Sequence, residues 1–284
     1  MKLGIVTPVL TLLPRAHAQW EQDGSFDDVI AVVREAERLG YHHCTCSEHV
    51  GVPVDIAEVR GGRYYDPLSV FGALGAVTST IRFAAHVVVL GYHHPLALAK
   101  RYGTLDVVTG GRVILGVGVG SLEEEFTLLG APFDDRGARA DDAMRALRAA
   151  LSQREPSYKG EYYEFDGFLV DPAAVQSHVP MWVGGRTFRS LRRAVELGHG
   201  WAPFGLRTTE LGGTLARVHI PKGFDVILQN EHPLDPLKEP ERVREQLERF
   251  RAIGATGINV RFVHHSREHY CEQLAALVSV TPSD

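Results

Sequence analysis

The chain has 284 residues, of which 44% are hydrophobic and 23% are charged, and its formal net charge is −5. This composition is typical of a globular protein, and the acidic balance argues against a general nucleic-acid binder, which presents a basic surface. No run of about 18 or more apolar residues occurs, so the sequence predicts no membrane-spanning helix.

Apolar, β-branched segments recur along the chain at spacings that favour strands alternating with helices. The predicted strands are Leu3–Thr7, Tyr41–Ser47, Ile81–Val88, Val113–Val117, Pro180–Val183, His199–Pro203, Phe224–Leu228 and Gly257–Phe262. The predicted helices are Ser25–Leu39, Pro67–Thr78, Pro95–Val108, Asp135–Leu151, Phe188–Leu197, Thr208–Val218, Pro240–Ile253 and Arg267–Val278. Several of them begin at a good N-cap or end just before a glycine, as helices commonly do.

Eight strand–helix pairs in a chain of this length indicate an α/β protein with a TIM (β/α)8 barrel. An open, doubly wound sheet is the alternative, but it usually has fewer strands and a glycine-rich first turn, and here Pro8 follows the first strand. The segment Tyr158–Val170 alternates aromatic and polar residues around glycines, which predicts a small β-hairpin inserted before the fifth barrel strand. No linker or composition shift divides the chain, so we expect a single domain over residues 1–284.

The N-terminus imitates a secretory signal peptide. An apolar stretch, Leu3–Leu13, follows Lys2 and precedes a small-residue Ala16-His17-Ala18 sequence. We reject this interpretation because Thr7-Pro8 interrupts the stretch and because Leu3–Thr7 is needed as the first strand. The sequence therefore favours a cytoplasmic protein.

The cysteines and histidines do not indicate a metal site. Three cysteines are too few for a disulfide framework, and Cys44-x-Cys46 lacks the second pair that a structural zinc site needs. The histidines include three adjacent pairs, His42-His43, His93-His94 and His264-His265. Neighbours in a strand point to opposite faces, so such a pair cannot easily bind one ion. We expect buried thiols and no metal.

Polar and glycine residues follow most of the predicted strands, and in a barrel these strand ends form the active-site face. Glu48-His49 follows the second strand and is the best acid/base candidate, because a histidine exchanges protons near neutrality. An adjacent carboxylate can orient the ring or hold a ligand. Glycines at 116, 118 and 120 predict a bare exit from the fourth strand, against which something flat or bulky can lie.

Gly184-Gly185 stands at the turn between the fifth strand and a helix, where backbone N–H groups and the positive end of the helix favour an anion. Four arginines, at 186, 189, 192 and 193, add positive charge. The sequence predicts a phosphate-binding corner here. The aromatic residues predicted to line the barrel mouth are Trp20, Tyr64, Tyr65, Tyr92, Trp201 and Phe204.

At these residues the chain resembles the luciferase-like flavin and deazaflavin oxidoreductases, whose fold is a TIM barrel. The resemblance runs from about residue 3 to 204 and is most specific over Ile81–Phe126. It continues in Glu161–Phe165, in Pro180–Gly185 and in Leu197–Trp201. Within the family the chain looks most like the branch that uses coenzyme F-420, a deazaflavin hydride carrier.

The resemblance implies roles for individual residues. His49 matches a proposed proton donor of that branch, and Glu48 matches the acid that accompanies it against the deazaflavin. Family members often have a non-proline cis peptide after the third strand, and the matching bond is Ala85–His86. The positions that match cofactor-lining residues of the family are Glu48, Ala85, His86, Val88, Val119, Gly120, Glu124, Gly184, Gly185 and Thr187.

The chain also departs from the family. Ser121 stands where sugar-phosphate dehydrogenases of this branch carry a glutamate, which puts that chemistry in doubt, and His199 replaces a common aspartate. The segment Phe204–Gln229 is shorter than usual, so we expect cut-back loops on the substrate side.

The resemblance implies an F-420-dependent oxidoreductase that transfers a hydride to or from a small organic substrate and acts as a homodimer. The charge and the lack of a long apolar run predict no nucleic-acid or membrane partner. An FMN-dependent monooxygenase on the same scaffold is one alternative. A non-catalytic ligand-binding barrel is another, and Ser121 keeps it open.

Overall fold

The computed structural model describes residues 1–14 and 16–281. Its strands are β1 Lys2–Val6, β2 His43–Cys46, β3 Arg82–Ala85, β4 Val88–Val89, β5 Val113–Gly118, β6 Tyr158–Lys159, β7 Glu164–Phe165, β8 Met181–Gly184, β9 Gly200–Ala202, β10 Asp225–Gln229 and β11 Gly257–Val260. Its helices are α1 Phe26–Arg38, α2 Val54–Arg60, α3 Pro67–Val77, α4 Pro95–Val108, α5 Glu123–Leu128, α6 Arg136–Ala150, α7 Phe188–Leu197, α8 Thr208–Leu215, α9 Pro240–Ala252 and α10 Arg267–Val280.

Eight parallel strands close into a barrel, which confirms the predicted TIM-barrel fold. The ring runs β1, β2, β3, β5, β8, β9, β10 and β11, and β11 pairs with β1 in parallel. Strand β4 is not one of these eight strands and pairs in parallel with the carboxyl end of β5. Closure excludes the open, doubly wound alternative. The predicted hairpin is also present as the antiparallel pair β6–β7.

The major helices form where the sequence predicted them because their local signals agree with their packing. In α1 the Ser25 hydroxyl accepts from the N–H of Asp28, and Gly40 follows the helix with a φ of +80°. The buried side of α1 carries Val29, Val32 and Val33, at the spacing of one helical face. None of the helices in the described residues is long and apolar enough to cross a membrane.

Two short helices were not predicted. Helix α2, Val54–Arg60, is seven residues long and has no buried residue, so it is too short for the apolar period that identifies a helix in a sequence. Helix α5, Glu123–Leu128, is six residues long and begins with three glutamates. Both lie in segments that follow barrel strands at their carboxyl ends, where the candidate site is expected.

The interior of the barrel is packed at its N-terminal end. His43 points inward from β2, its Nε2 lies 2.6 Å from Oδ1 of Asn259 on β11, and its ring is 5.0 Å from that of Trp182 on β8. A Cβ atom at Gly4 would stand 2.1 Å from the His43 ring, so glycine is required there. The Trp182 indole donates to Asp225, which also pairs with Lys2 at 2.6 Å. These contacts close the lower half of the barrel to ligands.

The third strand, β3, ends at Ala85, before the predicted Val88, and the cis bond that follows it lies one residue later than the resemblance implied. The Ala85–His86 bond was expected to be cis, but the cis bond is His86–Val87. The reason is that the His86 N–H still donates to the Cys46 carbonyl at 2.8 Å, so the ladder between β3 and β2 includes His86 before the chain turns.

Candidate functional site

The carboxyl ends of β2 and β5 bring His49 and Glu125 together. Nδ1 of His49 lies 2.8 Å from one oxygen of Glu125, and the Tyr92 hydroxyl donates to the same oxygen at 2.6 Å. The other oxygen accepts the backbone N–H groups of Val50 at 2.5 Å and Gly51 at 3.2 Å. Glu125 is only 1% exposed, so this carboxylate is buried and fully hydrogen-bonded.

These bonds decide the charge of Glu125. Burial alone would raise its pKa, but hydrogen bonds from His49, Tyr92 and the Gly51 N–H outweigh burial and lower the pKa to about 2. Conversely, burial and the bond to Glu125 raise the pKa of Tyr92. An ionised Glu125 accepts a hydrogen bond, which assigns the proton to Nδ1 of His49. Nε2 of His49 has no hydrogen-bond partner among residues 1–14 and 16–281 and is left to meet a ligand.

The position of Glu48 next to His49 suggested that Glu48 orients the His49 ring, but the two side chains have different partners. One oxygen of Glu48 lies 2.7 Å from Nε2 of His93, and the other accepts the N–H of Val89 at 2.7 Å. Neighbouring residues at a strand end point in different directions, so Glu48 and His49 acquire separate partners. Two carboxylate–imidazole pairs therefore lie at this face, and the orienting carboxylate of His49 is Glu125.

The aromatic lining of the mouth is smaller than predicted. The rings of Tyr64 and His49 meet edge to face with centroids 4.4 Å apart, and Phe204 is 41% exposed. Trp201, however, is fully buried, and its indole donates to the Ser190 hydroxyl of α7. Gly200 and Ala202 occupy the inward positions of β9, so Trp201 must face the helices and not the mouth.

The space beside the glycines at the end of β5 is filled by neighbouring residues of the chain and not left open for a ligand. A Cβ atom at Gly116 would stand 1.7 Å from the Ala85 carbonyl oxygen, and one at Gly118 would stand 2.5 Å from the Val87 side chain. The same side chain lies 2.6 Å from a Cβ at Gly184. The strand exits were predicted to be bare, but Val87 covers both Gly118 and Gly184. No pattern in the sequence marks this valine as a cover for the two glycines.

The other predicted cofactor positions are spread around the same face. Val88 is fully buried in β4, whereas Val119 is half-buried. Gly120 has a φ of +76°, and a Cβ atom there would stand 2.5 Å from the Phe126 ring. Glu124 is exposed on α5, one residue before the buried Glu125. The carboxylate that reaches His49 is thus the neighbour of the one that the resemblance indicated.

The predicted phosphate corner lies at the start of α7. Gly185 has a φ of +114°, and the Thr187 hydroxyl accepts from the N–H of Ser190 as the N-cap. Four cations were expected here, but Arg193 pairs with Asp141 and Arg192 with Glu196. Their positions on the sides of the helix bring them to carboxylates of α6 and of α7 itself. Two exposed arginines remain at the corner, Arg186 and Arg189.

His86 joins this corner to the barrel. Its Nε2 lies 3.1 Å from the Ala202 carbonyl, and its ring is 6.1 Å from that of Phe204. The Arg186 guanidinium lies over the same Phe204 ring at 5.9 Å. Desolvation lowers the pKa of His86, so the ring is neutral near pH 7 and donates its Nε2 proton to the carbonyl.

The fold and the site thus define a TIM barrel with an acid–base pair and an anion-favouring turn at its C-terminal face. A sequence profile of the luciferase-like monooxygenases matches residues 1–220. The chain belongs to this luciferase-like family.

Among its relatives is an uncharacterised protein of Mycobacterium tuberculosis, which is 31% identical over 205 residues covering 68% of this chain and 70% of that protein. An FMNH2-dependent dimethylsulfone monooxygenase of Pseudomonas putida is 29% identical over 131 residues, which cover 45% of this chain and 36% of that enzyme.

Solved structures share the fold at lower identity. A monooxygenase from Streptomyces bottropensis superposes with a TM-score of 0.78 at 20% identity, covering 98% of both chains. A coenzyme F-420-dependent tetrahydromethanopterin reductase from Methanopyrus kandleri gives a TM-score of 0.73 at 14% identity, covering 99% of this chain and 98% of that one. These likenesses establish the barrel, and the site must carry the functional argument.

Proposed function

We propose that this chain is an oxidoreductase that binds coenzyme F-420 at the C-terminal face of its barrel and exchanges a hydride with a small organic substrate. The observation that supports this proposal is the pairing of His49 with the buried carboxylate of Glu125. Hydride transfer to a carbonyl carbon, or from the carbon of the corresponding alcohol, moves a proton on the oxygen as well, and a histidine held in one tautomer can handle that proton.

The residues at the face fit an anionic cofactor. The turn at Gly185 and the start of the ten-residue helix α7 present backbone N–H groups, and Arg186 adds a cation beside them. F-420 and FMN both carry a phosphate, so both suit this corner. When bound, such a cofactor would supply the hydride chemistry, while the protein supplies binding and orientation.

The chain's own residues divide the remaining work. Nε2 of His49 would give or accept the proton, and Glu125 would keep the other ring nitrogen protonated. Tyr64 packs edge-on against the His49 ring and limits its rotation. Glu48, with both oxygens occupied by His93 and Val89, would stiffen the loop and would act on a ligand only through that framework.

An FMN-dependent monooxygenase is the second candidate. The observation in its favour is the match to the Pseudomonas putida enzyme, whose name states that it uses reduced FMN. The phosphate corner suits either cofactor. Two structural neighbours named for F-420, the reductase and a secondary alcohol dehydrogenase, favour the first candidate only as proteins of the same fold.

A fluorescence titration of the purified chain with F-420 and with FMN tests the proposal. We expect saturable F-420 binding that is tighter than FMN binding, and a ligand at about 100 times its Kd should stabilise the protein by roughly 2.7 kcal/mol. Tight binding of FMN without F-420 would establish the second candidate, and binding of neither would remove both.

A charge reversal locates the phosphate corner. Arg186→Glu should weaken binding of either cofactor by roughly 5- to 10-fold, because a carboxylate would then face the anion. This substitution changes the charge without a steric clash, whereas any side chain at Gly184 would clash with Val87. Arg34→Glu, on the exposed face of α1, is the matched control and should leave affinity unchanged. Equal cofactor affinity in the wild type, Arg186→Glu and Arg34→Glu would show that the phosphate does not bind beside Arg186.

A further inference from the structure

Arg261 follows the eighth barrel strand, β11, and its backbone is firmly held. Its N–H donates to the Asn230 side-chain oxygen at 3.1 Å, and its carbonyl accepts from the Asn230 amide at 3.2 Å and from the N–H of Leu234 at 2.8 Å. The chain stays extended as far as a bridge between Leu234 and Phe262. The position from which the Arg261 side chain projects is therefore rigid.

The side chain of Arg261 faces the barrel interior. Asn259 points inward, because it reaches His43 inside the barrel, and residues two apart in an extended strand share a face. Arg261 stands two residues nearer the carboxyl end, above the packed layer and at the mouth. The active sites of TIM barrels lie at this end.

The guanidinium of Arg261 has no partner in the described part of the chain. None of its nitrogens forms a hydrogen bond or an ion pair with residues 1–14 or 16–281, and its Nε is sealed from solvent. Burial lowers the pKa of Arg261, whereas the charge of Glu21 acts in the opposite direction. Glu21 is itself occupied, since its two oxygens accept the N–H groups of Val9 and Ala18.

A buried arginine at the opposite end of the barrel shows what this chain does with a structural guanidinium. Arg112 lies at the start of β5 and makes five hydrogen bonds, to the Thr78 hydroxyl and to the carbonyls of Thr109, Ile81, Gly75 and Thr78. Buried polar groups are nearly always satisfied, and Arg112 follows that rule at the N-terminal end. The Arg261 side chain is half-buried, and its buried Nε breaks the rule at the end where ligands bind.

We propose that Arg261 binds an anionic oxygen group of the substrate, most simply a carboxylate, which its guanidinium can hold through two parallel hydrogen bonds. The assignment to the substrate rests on the proposed function. Strand β8, which leads to the phosphate corner, is three places from β11 around the eight-strand ring, whereas β2, which leads to His49, is two places away. The group at Arg261 is thus separate from a phosphate at Gly185, and an acidic substrate would reach from Arg261 towards His49.

Calorimetric titration with benzoate, and with its neutral analogue benzamide, tests the proposal. Inorganic phosphate and methanesulfonate complete the probes, because either anion would identify a different oxygen group at the same guanidinium. We expect the wild type to bind at least one of the three anions, and to bind benzoate more tightly than benzamide. Arg261→Gln should weaken anion binding by about 10- to 100-fold, whereas Arg34→Gln, an exposed control, should not.

Two further readouts separate the possible roles of Arg261. Arg261→Gln should leave the urea midpoint of the free protein unchanged or higher, because it removes a charge without a partner. It should also leave F-420 affinity unchanged. A lower midpoint would mean a structural role, and lost cofactor affinity with anion binding intact would assign Arg261 to the cofactor. Equal anion binding by wild type and variant, or no anion binding at all, would equally overturn the proposal, whatever the cofactor titration shows.

Discussion

The two ends of this barrel are built from similar residues and differ in whether those residues find partners within the chain. At the N-terminal end, Arg112 and the His43–Asn259 pair are saturated by neighbours. At the C-terminal end, Nε2 of His49 and the whole guanidinium of Arg261 are without partners in the described residues. The contrast separates polar groups that hold the fold from polar groups that await a ligand.

A cleft of about 640 Å³ at the N-terminal end does not alter this contrast. It is lined by Met1, Lys2, Leu3, Leu39, Gly40, His42, Thr256, Val278 and Thr281. The charged groups next to it pair with each other, as Lys2 does with Asp225. The cleft is distant from the strand ends that carry His49 and Gly185, so its size does not make it the active site.

The largest expected effect on stability is at the N-terminal end. Arg112→Gln should lower the free energy of unfolding by about 2–4 kcal/mol, because several buried carbonyls lose their donors. Urea denaturation measures this loss. Arg261→Gln is the matched substitution at the C-terminal end. An equal loss of unfolding free energy in the two variants would contradict the claim that only Arg112 stabilises the fold.

Glu125 should have the next largest effect, and the effect depends on pH. Its pKa of about 2 lies below the 4.5 of an unfolded glutamate, so it adds about 3 kcal/mol above pH 4.5 that disappears as pH falls towards 2. Glu125→Ala should therefore destabilise the protein at pH 7 and flatten the acid side of its stability profile. Turnover should fall by roughly 100-fold, because His49 loses its orientation.

Glu124→Ala is the control for this prediction, since it removes an exposed carboxylate one residue away on the same helix. Stability and turnover should stay within a factor of about two of the wild type. If the two alanine variants behaved alike, the His49–Glu125 pair would have no special role.

A smaller effect concerns the acid response of the N-terminal end. Burial lowers the pKa of His43 to about 3, so this ring takes up a proton below about pH 6.5 only on unfolding. Stability should decline between pH 6.5 and 4.5, and His43→Asn should reduce the slope by up to about 1.4 kcal/mol per pH unit. Urea midpoints across this range, with His219→Asn replacing an exposed imidazole for comparison, provide the measurement. An unchanged slope in His43→Asn would contradict a buried neutral ring.

The smallest effect is at the cap of α7. Thr187→Ala should lower the free energy of unfolding by about 1 kcal/mol, because the N–H of Ser190 loses its side-chain acceptor and keeps only the Thr187 carbonyl. Thr187→Ser keeps the hydroxyl and should restore stability. If Thr187 also contacts the cofactor phosphate, cofactor affinity will follow the same order, whereas equal affinity in both variants would limit Thr187 to capping.

The sequence was sufficient for the barrel because its local signals agree with one another. Helix α4 has the predicted bounds, with Pro95 at its first position and Gly110 and Gly111 just beyond its end. Most barrel strands read as largely apolar runs, such as Val113–Gly118, which is the pattern of parallel strands covered on both faces. Nothing comparable marks the short helices α2 and α5, which are too short to repeat a buried apolar face.

The details of the site could not be predicted in the same way. Three consecutive glutamates precede Phe126, and only the rotation of α5 decides that the third one reaches His49. After the third strand, the cis bond lies one residue later than the resemblance implied, and the Val87 side chain covers Gly118 and Gly184. Arg261 reads as an ordinary cation in the sequence, because missing partners are visible only in three dimensions.

A crystal structure of the chain with F-420 tests the central claim most directly. Our account predicts the cofactor at the C-terminal face, with its phosphate at the backbone N–H groups of residues 185–187 and its ring beside Nε2 of His49. Density for the cofactor in the N-terminal cleft, or a face in which no ring contacts His49, would contradict it.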